Sequence, residues 1–154
     1  MTSSETCAST RTPKASSQPW VIDTNIVLDL WLFEDPATVP LRDALQSGRI
    51  SHLATSSMRD ELARVLTYPH IIKRMARANL QAQDILNRFD QHHVPAEPAL
   101  KAPCTCKDPD DQKFIDLAVA YPVPLLSKDA AILCMKKRLF QSGVMLNPTE
   151  MPAQ

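Results

Sequence analysis

The chain lacks any excess of charge. Seventeen Lys and Arg balance seventeen Asp and Glu over 154 residues. No broad field of one sign is available to hold nucleic acid or an anionic membrane, so any such contact has to be a local patch. Cysteine is sparse and badly spaced for zinc. Of Cys7, Cys104, Cys106 and Cys134, only the middle two are close. The single residue between them falls short of the usual zinc-site gap, and no second Cys or His pair follows at a suitable distance. His52, His70, His92 and His93 show no ligand spacing either. Reduced thiols of a cytosolic protein are the simpler reading. No apolar run reaches the length of a membrane span. The Ser- and Thr-rich N-terminus lacks the apolar core of a secretory signal. It carries Arg11 and Lys14 in the manner of a transit peptide, but also Glu5. Internal repeats are absent. These absences lead to the expectation of a cytoplasmic chain with no membrane partner. A disordered leader is expected over residues 1–18 and one domain over 19–151.

What is present is an ordinary globular composition, 44% hydrophobic, in a length that supports one core without staples. Trp20-Val21-Ile22 is a short apolar run ending in Asp23, the pattern of a buried strand. Ile26, Val27, Leu30 and Trp31 then recur at helical spacing. Leu41–Gln46 reads as a short helix closed by Gly48, and Ile50–Thr55 as a second buried strand. Ser57 is a candidate N-cap for a helix from Met58 to about Thr67, with Pro69 closing it. Helical segments follow over Ile71–Ala78 and Leu80–His92. Val94–Pro103 is proline-broken and reads as a short strand or a loop. Asp110–Tyr121 reads as a helix, Pro124–Ser127 as a strand, Ala130–Leu139 as a helix and Gly143–Leu146 as a last short strand. Strands alternating with helices predict an α/β fold whose sheet is largely parallel and covered on both faces.

Ligands of such sheets bind beyond the carboxyl ends of the strands. Asp23 ends the first strand and Asp129 follows the LLS strand, so both fall on that edge. Asp111 shares a helical stripe with Phe114, Ile115 and Ala118 and therefore leans toward the sheet. Glu61 lies on the flank of an apolar helix face, about 40° from Val65 at 100° per residue. Each acid alone is most simply a helix cap, a turn former or a solvated residue. Gathered together, carboxylates repel one another, and burying them costs free energy unless a cation compensates. No Lys or Arg is placed to pair with all of them. Oxygen ligands of this type suit magnesium or manganese.

These segments resemble the signatures of the PIN-domain family. VIDTNIVLDL is similar to its opening strand, SSMRDELARVL to its acid-bearing helix, LLSKDAAIL to its fourth signature and VMLNPTEM to its closing strand. KDPDDQKFIDLAVA is similar to the third signature in the subgroup of toxin components of toxin–antitoxin systems. The likeness runs over about Pro19–Met151. It implies a three-layer α/β/α fold and a Mg2+- or Mn2+-dependent endoribonuclease, the toxin of a type II pair. It further implies an RNA substrate, an antitoxin partner and homodimer formation. Carried over, the catalytic and metal-binding quartet is Asp23, Glu61, Asp111 and Asp129, with Asn25 and Thr24 in support of the first Asp. Asp108 and Asp110 lie close enough to Asp111 to be mistaken for it, and Asp116 is secondary, about 140° away on the helical wheel. Cleavage at such a site leaves a 3′-hydroxyl and a 5′-phosphate. Arg59, Lys107, Lys113 and Lys128 flank the acidic segments as candidate RNA contacts, against the plainer reading of solvated surface. Lys136, Lys137 and Arg138 read as a helix face. Lys128 departs from the subgroup, which often has Gly there.

Three other readings compete. A haloacid-dehalogenase-type phosphatase also opens on a strand ending in Asp, but needs a second Asp where Asn25 stands. A receiver domain needs paired acids in an early loop, and Asp23 stands alone at its strand end. A non-catalytic PIN-like scaffold that binds RNA or protein is disfavoured by the complete acidic set.

Overall fold

The computed structural model describes residues 17–153. The expected leader therefore falls almost wholly outside the described residues. Among these residues four parallel strands build the sheet: β1 (Gln18–Ile22), β2 (Ile50–Ala54), β3 (His93–Pro95) and β4 (Leu125–Leu126), in the order β3-β2-β1-β4. The register sets Trp20 beside His52, His52 beside His93, and Val21 beside Leu125. Leu146 adds one parallel bridge to Leu125 on the outer side of β4. The expected last strand is thus reduced to a single bridge. All five residues of β2 are buried, as befits a parallel strand covered on both faces.

Among the described residues eight α-helices flank the sheet: α1 (Thr24–Trp31), α2 (Val39–Gln46), α3 (Ser56–Val65), α4 (Pro69–Arg77), α5 (Ala82–His92), α6 (Gln112–Ala120), α7 (Ala130–Leu133) and α8 (Lys136–Gln141). The result is the three-layer α/β/α arrangement. Its core joins Trp20 and Ile22 of β1 to Leu30 of α1, Leu62 of α3, Ile85 of α5 and Phe114 of α6. Among the described residues no helix is long and apolar enough to cross a membrane.

Several boundaries differ from the sequence reading, each for a local reason. Thr55, not Ser57, caps α3: its side-chain oxygen accepts from Met58 N at 3.4 Å, and the helix starts one residue earlier than Ser57. Pro69 occupies the first turn of α4, where its missing N–H costs nothing. Gln81 and Asp84 form a reciprocal capping box, which starts α5 at Ala82 rather than Leu80. The single helix expected over Ala130–Leu139 is two, α7 and α8, divided at Cys134 and Met135. The Val94–Pro103 stretch keeps a short strand at its start, where β3 pairs with the C-terminal half of β2.

The strand order defines the site. β1 sits inside the sheet, with β2 on one side and β4 on the other. The chain runs outward from β1 through β2 to β3 and then returns past β1 to β4. The gap beyond the ends of β1 and β4 is therefore the switch point at which open α/β sheets bind ligands.

Candidate metal centre

Asp23 follows the last residue of β1 and serves as the N-cap of α1, but its side chain does not cap that helix. It turns instead toward β4, where Oδ2 accepts a 2.7 Å hydrogen bond from Ser127 Oγ. The same Ser127 oxygen accepts from Asp129 N at 3.0 Å. Ser127 thus ties the ends of the two strands together. Its backbone is fixed by Asn147, whose side chain accepts from Ser127 N and donates to Ser127 O. Asp129 spends Oδ1 on the N–H of Ala131 at the start of α7.

Asp111 arrives from the other side. A 3-10 turn over Pro109–Asp111 leads into α6, and Asp108 caps the turn by accepting from Asp110 N. Phe114, Ile115, Leu117 and Ala118 anchor α6 in the core. The preceding loop is bound to the helix through Gln112 and Asp116. Gln112 holds Cys104 O and Cys106 N, while Asp116 Oδ1 accepts from Ala102 N and from Gln112 Nε2. Asp116 is therefore engaged in holding the loop.

The outcome is a compact acidic group. One carboxylate oxygen from each of Asp108, Asp111 and Asp129 lies within 4.8 Å of the others. Asp111 is 7% exposed, and its Oδ2 is buried without a hydrogen-bond partner. Burial, a shared contact with Asp129 and the charge of Asp23 push the Asp111 carboxyl up to about 7. Burial also raises Asp23, against the pull of the Ser127 hydrogen bond, and the charges of Asp129 and Glu61 raise it further. An unpartnered buried oxygen amid like charges is costly by itself. Opposite ligands of a small hard cation at about 2.1 Å stand about 4.2 Å apart, so oxygens within 4.8 Å of one another need only a small side-chain adjustment to share one. The residues present therefore fit a divalent metal.

Glu61 of α3 stands at the rim. It accepts from Thr24 Oγ1 at 2.9 Å and pairs with Lys113 of α6. Asn25 is exposed, and among the described residues no hydrogen bond joins it to Asp23. The basic residues flanking the acids are mostly occupied. Arg59 makes a two-pronged pair with Asp90 at 2.8 and 2.9 Å. Lys128 reaches down α1 to Asp29 at 2.7 Å. Lys113 also donates to Asp110 O. Lys107 is exposed and forms no salt bridge among the described residues.

Two residues enter the site that the sequence reading did not assign to it. Asp108 joins the oxygen cluster, and the Asp-Pro that opens the 3-10 turn is the signal that would have placed it. Ser127 sits two residues before Asp129, close enough to share its strand end.

Residues 19–129 match the family model described as the PIN domain. PIN domains are generally nucleases that bind divalent metal through acidic residues. No curated protein matches the chain significantly.

Proposed function

This chain belongs to the PIN-domain family, and on that premise we propose that it is a Mg2+- or Mn2+-dependent endoribonuclease. The observation that carries the reading is the buried, unpartnered oxygen of Asp111 inside a cluster of carboxylates at the switch point. Asp108, Asp111 and Asp129 are the residues that would hold the ion. When bound, the ion supplies Lewis acidity toward a phosphate oxygen and lowers the pKa of a water, the two needs of phosphodiester hydrolysis. Asp111, whose carboxyl burial and like charge hold up to about 7, would be the residue to shed a proton on holding a cation. Ser127 fixes Asp23 so that its carboxylate faces the same mouth. Thr24 and Lys113 hold Glu61 at the rim, which also leaves the positive end of Lys113 next to an arriving phosphate. Asn25 is exposed beside the mouth and available to substrate.

In its finer form the proposal makes the chain the cytoplasmic toxin of a type II toxin–antitoxin pair. It acts as a homodimer, and its antitoxin covers the acidic mouth. The support is the likeness of KDPDDQKFIDLAVA to the toxin subgroup. Incubation of the full chain with end-labelled single-stranded RNA and Mn2+ tests the activity. Internal cuts bearing 5′-phosphates are expected, lost with chelator and in Asp111→Asn. Intact RNA under every condition would sink it. Growth arrest on expression, relieved by Asp111→Asn, tests the toxin role, and unaffected growth would count against it.

A further inference from the structure

The neutral chain hides two basic stretches free of acid, a short one around Lys136, Lys137 and Arg138 and a longer one that begins next to Glu61. From Leu62 to Gln83 it carries Arg64, Lys73, Arg74 and Arg77 and no Asp or Glu. This segment is the end of α3, the turn after it, α4 and the chain up to the start of α5. Ile71 and Met75 bury one side of α4 in the core, while Arg64, Lys73 and Arg77 are exposed. Among the described residues none of the four cations forms a salt bridge, in contrast to Arg59, Lys113 and Lys128. Two partly exposed aromatic rings accompany them. Tyr68 is 39% exposed in the turn, and Phe33 is 37% exposed beneath Arg74, whose guanidinium carbon stands 5.5 Å from the ring centre. The stretch is continuous with the acidic centre, because Arg64 follows Glu61 by three residues on α3, about 4.5 Å of rise.

We infer that the end of α3, the turn after it and α4 form a track for single-stranded RNA. Lys73, Arg77 and Arg64 meet successive phosphates, and Tyr68 and the Phe33–Arg74 pair offer faces on which unpaired bases stack. Cations interleaved with partly exposed rings are the pattern that single strands require. A chain without net charge must place its phosphate contacts in a local patch of this kind. The inference rests on the ribonuclease reading for the identity of the strand. The continuity through α3 favours RNA over an anionic membrane, since it leads the backbone toward the carboxylates.

The test uses the full chain, a fluorescein-labelled single-stranded RNA of mixed sequence, and chelator to prevent cleavage. Binding is followed by anisotropy over a salt series. The double variant Lys73→Gln/Arg77→Gln, at two exposed positions, is expected to bind roughly tenfold more weakly at low salt, and its log–log salt slope to shrink by about 1.4, two phosphate contacts at about 0.7 each. Tyr68→Ala is expected to weaken binding roughly five- to tenfold with the slope unchanged. Circular dichroism and thermal midpoints check that both variants are folded. Equal affinity and slope in wild type and Lys73→Gln/Arg77→Gln would overturn the track, as would a loss confined to phosphatidylserine vesicles with RNA binding intact. The two readings fail separately. Variant-sensitive RNA binding without Mn2+-dependent cleavage removes the nuclease and leaves the track. Cleavage by Lys73→Gln/Arg77→Gln with unchanged KM removes the track and leaves the nuclease.

Discussion

Asp111 and His52 are both buried titratable side chains, 7% and 3% exposed, yet their surroundings differ in kind. His52 lies inside β2, edge-on to the ring of Phe89 at 4.7 Å between centres. Burial pushes its imidazole down to about 3, with the nearby His93 and His92 adding to the shift. Neutral imidazole packed on a ring is simply core. Asp111 has carboxylates for neighbours and an oxygen with no donor. Burial and those charges push it up to about 7. One region resolves the cost of burial internally. The other resolves it only with a proton or with a cation from outside.

Substitution separates the two sites. Asp111→Asn should lower Mn2+-dependent RNA cleavage at least about a hundredfold, while raising the stability of the metal-free chain by about 1 kcal/mol through relief of like-charge repulsion. His52→Phe, in a folded sample, should keep cleavage within about threefold. Comparable losses in both variants, measured in the same assay with denaturant melts alongside, would erase the distinction.

Next in size is the effect of the ion. At about 100 times its dissociation constant, Mn2+ should stabilise the chain by about 2.7 kcal/mol, a rise in thermal midpoint of roughly 5–10 °C. Calorimetric scans should show this shift in His52→Phe and lose it in Asp111→Asn.

The pH dependence of the metal-free chain separates the two regions by sign. The folded Asp111 carboxyl, at about 7, lies above its ordinary 3.8. Its contribution to stability is full below 3.8 and is lost as pH rises toward 7. The folded His52 imidazole, at about 3, lies below its ordinary 6.5. Its contribution is full above 6.5 and is lost as pH falls toward 3. Urea melts between pH 4 and 6.5 should therefore show opposing slopes. Asp111→Asn should steepen the loss on acidification, and His52→Phe should reverse it. The smallest effect should come from Ser127→Ala. Loss of its hydrogen bond to Asp23 costs about 1 kcal/mol, read by the same melts, and lifts the Asp23 carboxyl further.

Much of this organisation is legible in the chain. Trp20-Val21-Ile22 followed by Asp23 places an acid at a strand end, and the Phe114, Ile115 and Ala118 stripe turns Asp111 inward. Both rest on short-range periodicity. What the chain conceals depends on neighbours distant in sequence. Ser127 matters because β4 lies beside β1, 104 residues away along the chain. Lys128 stands next to Asp129 in sequence but pairs with Asp29 on α1, a choice that no local pattern encodes. Asp108 joins the cluster because the Pro109 turn folds back on itself. Thr55 caps α3 because β2 ends at Ala54, which leaves Thr55 at the strand-to-helix turn.

The most direct measurement is a calorimetric titration of Mn2+ into the metal-free full chain at pH 7, in two buffers of different ionisation enthalpy. One ion should bind per chain with release of protons, because burial and like charge hold the Asp111 carboxyl up to about 7, and Asp111→Asn should show neither this release nor the tight site. Absence of a Mn2+ heat in the wild-type chain, or the same proton-linked heat in Asp111→Asn, would contradict the account.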